Sequence, residues 1–68
     1  MVVSDQEFKR LLQEFDRLRE ETEKVALVIP RFFNEGGIAV VESLVGQQSQ
    51  RVTRMEQIVD ELKVIAQQ

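Results

Sequence analysis

Four cations, Arg10, Arg17, Lys24 and Arg31, recur every seven residues in this 68-residue chain. On a helix that interval gathers them into one row roughly 30 Å long. A row of evenly spaced cations can follow a phosphate backbone or dock on an acidic protein surface. A second row, Glu7, Glu14 and Glu21, runs three residues ahead of the first. Each carboxylate can pair with the next cation at i,i+3, which gives a self-neutralised, solvated face instead. The net charge of −3 and pI near 4.9 argue against a general nucleic-acid binder. A protein partner is therefore the first choice for the stripe, with nucleic acid second.

Catalytic chemistry has few candidates. The chain has no His, Cys, Tyr or Trp. Ser4, Ser43 and Ser49 have no evident base to activate them. Glu56 and Asp60 share a helical face, but acid–base work needs a dry cleft that shifts a carboxyl pKa. Glu20, Glu21 and Glu23 suit a solvated face better than a cation site. Gly36-Gly37 lacks the strand and the Lys-Ser/Thr pair of a phosphate loop. A non-enzymatic protein is expected, with no cofactor and no metal.

The elements that carry these residues are two apolar ladders at helical spacing, separated by Gly36-Gly37. The first runs Phe8, Leu11, Phe15, Leu18, Thr22, Val25, Ile29, Phe32. The second runs Ile38, Val41, Val45, Gln48, Val52, Met55, Val59, Leu62, Ala66, with Leu44, Ile58 and Ile65 widening it. Ser4 and Glu7 form a capping box, and Val3 and Phe8 a hydrophobic staple, at the start of helix 1. Asp5–Lys9, Arg17–Glu21 and Glu20–Lys24 are spaced as i,i+4 ion pairs. Helix 1 is expected over about 4–29. Pro30 lacks the N–H that would bond Ala26, so the helix either ends near Val28 and restarts, or kinks and continues to 34. The turn falls at about 34–37 and helix 2 at about 38–66. Gly46 and Gln48 loosen helix 2, but its phase survives, which predicts one continuous helix.

These features predict a single all-α domain over residues 1–68: a helical hairpin of two long antiparallel helices. Two helices bury only one seam, while ordering costs roughly 1.5 kcal/mol per residue. Small chains meet that cost through disulfides, metals or oligomerisation. Without Cys or His, oligomerisation is the remaining route, so the hairpin is expected to dimerise into a four-helix bundle. The expected association residues are Phe8, Leu11, Phe15, Leu18, Val25, Phe32, Val45, Gln48, Val52, Met55, Val59 and Leu62. A buried Gln48 can set register by pairing with its symmetry mate. Phe32 follows the ladder and its neighbour does not, so Phe33, with Arg10, Arg17, Lys24 and Arg31, is assigned to contact with another protein.

In layout the chain resembles small plasmid- or phage-type hairpin regulators that dimerise into four-helix bundles, a resemblance of architecture alone. The function expected is a self-associating interaction module. The alternatives are a nucleic-acid-binding regulator using the basic stripe, or an obligate subunit of a larger helical assembly. The first residues lack the regions of a signal peptide. The longest apolar run, Val25 to Phe33, falls short of the ~20 residues that span a bilayer. A soluble, cytoplasmic protein is expected.

Overall fold

A computed structural model describes residues 5–67. Two helices, α1 (Asp5–Asn34) and α2 (Ile38–Ala66), lie side by side as a hairpin rod of 54 × 14 × 12 Å. There is no strand among the described residues. The capping box at Ser4 and the staple at Val3 lie outside them. Asp5 and Glu7 do occupy the first turn of α1, where carboxylates favour the positive end of the helix dipole.

Helix α1 runs unbroken through Pro30 to Asn34, the continuous one of the two expected outcomes. Pro30 and Ala26 are both exposed, so water can replace the bond that the proline cannot donate. The helix then stops on a Schellman turn. Gly36 takes φ +79°, a left-handed conformation that suits glycine. The Gly37 N–H donates to Phe32 O at 2.8 Å and the Gly36 N–H to Phe33 O at 3.1 Å. At Gly37 a side chain would press to 3.2 Å from the Phe32 carbonyl oxygen, so a substitution there asks the turn to give by a few tenths of an ångström. The carbonyl of Gly37 accepts from Val41 N–H and opens α2. Gly46 does not interrupt α2.

On α1 the seam is the expected ladder, with Leu11, Phe15, Leu18, Thr22, Val25 and Ile29 turned inward. On α2 the packing departs from the expected stripe. The inward rows are Val41, Gln48, Met55, Leu62 and Leu44, Arg51, Ile58, Ile65. The row Ile38, Val45, Val52, Val59 stays outside. Three adjacent apolar rows are wider than the line along which two helices touch, so one must be left over. Turning Leu44, Ile58 and Ile65 inward buries the longer side chains and aims Arg54 at α1. Among the described residues only Leu11 and Ile58, at 5% and 0% exposure, are fully buried apolar side chains.

Candidate interaction surface

Two polar contacts fix how the helices meet. The Arg54 guanidinium grips the Glu14 carboxylate with two bonds, Nε to Oε2 at 2.7 Å and Nη2 to Oε1 at 2.9 Å. Gln48 Nε2 donates to the Thr22 carbonyl oxygen at 2.8 Å. Within this hairpin Gln48 therefore reaches across to α1. Thr22 Oγ1 donates back to Leu18 O at 2.7 Å, as a seam threonine commonly does. The seam is imperfect at its middle, where Gln48 Oε1 and Arg51 Nε are buried without a hydrogen-bond partner. Such groups carry a desolvation cost of about 1–3 kcal/mol each.

The Glu14–Arg54 grip also identifies the two flanks of the seam. It joins the α1 row Glu7, Glu14, Glu21 to the α2 row Gln47, Arg54, Glu61 on one side. Arg54 Nη1 lies 3.9 Å from Glu61 and 3.4 Å from Gln57 Oε1 on that same side. An open depression of about 280 Å³ is lined there by Glu7, Leu11, Glu61, Val64 and Ile65 at the end far from the turn. Helical geometry then places the rows on the opposite flank together. They are Leu12, Arg19, Ala26, Phe33 from α1 and Ile38, Val45, Val52, Val59 from α2. Every one of these residues is exposed. Arg19 and, at the far end of the α1 row, Asp5 are the charges on this flank, and Arg19 is neutralised by its own helix: Nη2 bonds Asp16 at 2.7 Å and Nη1 bonds Glu23 at 3.0 Å. The hairpin thus has an ion-paired flank, polar except toward the turn where Val28 and Val40 continue its rows at 39% and 45% exposure, and an uncovered flank that is apolar along most of its length.

The association residues expected from sequence divide between these places. Leu11, Phe15, Leu18, Val25, Gln48, Met55 and Leu62 line the seam inside one hairpin. Val45, Val52 and Val59 lie on the apolar flank, and Phe8 and Phe32 sit exposed near the two ends of the rod. Phe33 also belongs to the apolar flank. Leu12 and Ala26 join it without having been singled out in the sequence. Their signal was faint, since a Leu and an Ala beside the main ladder read as ordinary helix formers.

Arg10, Arg17, Lys24 and Arg31 are exposed on α1, turned away from the apolar flank. Of the four, Arg31 pairs with Glu35 at 3.4 Å. Among the described residues the i,i+4 pairs Asp5–Lys9, Arg17–Glu21 and Glu20–Lys24 do not close to salt-bridge distance. Exposed helical pairs of this kind contribute only a few tenths of a kcal/mol, too little to hold two long side chains in one geometry. Glu14, expected to serve the row of cations on its own helix, turns to Arg54 instead. The hydrogen bonds from Arg54 hold its carboxyl below the ordinary glutamate range against a partial desolvation cost, and the charges of Arg54, Arg10 and Arg17 add to them. The same grip raises the Arg54 pKa, as the bonds to Asp16 and Glu23 raise that of Arg19. No group of three or more carboxylates among the described residues is gathered to hold a metal ion. No helix among them is long and apolar enough to cross a membrane.

No described protein family, curated protein or solved structure matches the chain.

Proposed function

We propose that this chain is a non-enzymatic protein–protein interaction module, a hairpin that self-associates so that two copies form a four-helix bundle. The observation that carries this reading is the apolar flank. A row of four β-branched side chains on α2, Ile38, Val45, Val52 and Val59, lies beside Leu12, Ala26 and Phe33 of α1 with nothing over it. Rows of exposed apolar residues on one continuous face mark interaction surfaces in soluble proteins. The seam inside one hairpin is too thin to supply the usual stability of a domain, and a second layer of helices would supply the missing burial.

The basic stripe of α1 points away from this flank and would remain on the outside of such a bundle. It is the surface we assign to a further macromolecular partner, with an acidic protein preferred. Light scattering on the purified chain, with helicity followed on dilution, tests the reading. A mass of about twice 7.9 kDa that falls as helix is lost on dilution supports it. A stable helical monomer at high concentration overturns it.

A further inference from the structure

The apolar flank is not uniform along the rod, and its charges distinguish two ways of pairing. Exposure along the α2 row falls steadily from the turn to the open end: 57% at Ile38, 51% at Val45, 43% at Val52 and 36% at Val59. On α1 the two large apolar residues of the row are Phe33 at 59% and Leu12 at 43%. The surface most in need of cover therefore lies at the turn.

Two symmetric pairings bring these flanks face to face. In one, the two turns lie at opposite ends, so α1 stacks on its own copy and α2 on its own copy. With the ends flush, Arg19 then meets Arg19 at the middle, and Phe33 meets Asp5. In the other, the two turns lie at the same end, and α1 of each copy stacks on α2 of the second. The heptad spacing then matches without slippage: Phe33 over Ile38, Ala26 over Val45, Arg19 over Val52 and Leu12 over Val59. The nearest charge to Arg19 on the flank of that facing helix is Glu56, which is of opposite sign.

We propose, resting on the self-association just described, that two copies of this chain pair through the apolar flank with both turns at one end. The second copy is the fitting occupant on grounds of area as well as pattern. The hairpin exposes 5437 Å². A compact folded monomer of its mass exposes about 4,400 Å² by the usual size scaling. The excess of about 1,000 Å² is comparable to the roughly 800 Å² that each partner contributes to a standard stable interface. The pairing keeps Arg19 away from its own copy and sets Phe33 against Ile38 instead of Asp5. It leaves the Glu14–Arg54 flank and the basic stripe of both copies on the outside. It also gives the bundle two unlike ends, one formed by the paired turns and one lying at the opposite end of the rod.

Distances between spin labels decide the arrangement. The chain has no cysteine, so a single label at Asn34→Cys or at Gln67→Cys reports only on itself in a pair. Both positions are exposed. Light scattering on each labelled chain first establishes its mass. With a dimeric mass, turns at one end give 34-to-34 and 67-to-67 separations that both stay well under half of the 54 Å rod. A dimer in which both separations approach the length of the rod overturns the proposed pairing while leaving self-association intact. A monomeric mass at high concentration overturns both.

Discussion

The two flanks of one seam teach different lessons about what a hairpin needs. One flank is closed by chemistry that is specific to position. Arg54 meets Glu14 with two short bonds, and Glu61 and Gln57 stand beside them. The other flank carries valines, isoleucine, leucine and phenylalanine with no cover. Charged groups at an edge tolerate water, so the first flank is complete in a single chain. The apolar rows of the second flank are not, and because the first carries exposed apolar residues only toward the turn, at Val28 and Val40, the hairpin is a sided object. Such a rod has one face to hide and one face to show.

Placing a charge on each flank in turn breaks this comparison most directly. Val52→Glu puts a carboxylate in the middle of the apolar row. We expect it to weaken self-association by about 3–5 kcal/mol, the scale of an unpaired buried charge, while the hairpin stays helical. Gln47→Glu, on the polar flank and about one and a half turns nearer the hairpin turn, should leave association within about 0.5 kcal/mol of the parent. Sedimentation equilibrium of the two variants reads the difference, and equal effects would mean that the flanks are not distinct.

The middle of the seam supplies a second contrast. Gln48→Met removes a buried acceptor that has no partner, and the Thr22 carbonyl keeps its place in the α1 helix. The expected result is a gain of about 1 kcal/mol in urea unfolding. A loss of similar size would mean that the Gln48–Thr22 bond outweighs the orphaned oxygen.

Gly46, on the outer face of α2 away from the seam, supplies a third contrast. A methyl group there meets nothing within 4 Å in the free hairpin. Gly46→Ala should therefore stabilise α2 by up to about 1 kcal/mol through helix propensity. Thermal unfolding at low and high chain concentration would test whether that gain survives pairing. A gain lost only at high concentration would place a neighbouring helix against Gly46.

The smallest effect belongs to the polar flank. The Glu14 carboxyl titrates below its ordinary range when folded, so the unfolded chain binds the proton first. The grip on Arg54 thus contributes its full share above the ordinary glutamate pKa, about 4.3. That share fades as the pH falls through the lower folded value. Glu14→Gln should flatten the acid limb of a plot of stability against pH and leave association at neutral pH unchanged.

How much of this was legible in the sequence follows from what kind of signal each feature leaves. The hairpin was readable because periodicity at 3–4 residues and a Gly-Gly break are local signals. The continuity of α2 through Gly46 was readable for the same reason, since the apolar phase holds from Val45 to Val52. The choice of inward rows on α2 was not. Three apolar rows compete there, and the winner depends on side-chain length and on a partner forty residues away, Glu14 for Arg54. The ion pairs show the same limit. Spacing alone nominated Arg17–Glu21 and Glu20–Lys24, whereas the pairs that form are made by Arg19, Arg31 and Arg54. The apolar flank was half visible, as valines in a ladder. Its α1 half became evident only once the helices were laid together.

The Glu35–Gly37 turn also sets an order in time. A seam contact near it, such as Ile29 with Val41, closes a loop of roughly a dozen residues, whereas Leu11 with Ile58 closes one of nearly fifty. The difference in closure entropy is about 1 kcal/mol. The rod should therefore zip from the turn toward the chain ends within microseconds, before a second copy can be met by diffusion. Opening runs the other way. The end far from the turn lets go first, and the turn holds its shape longest.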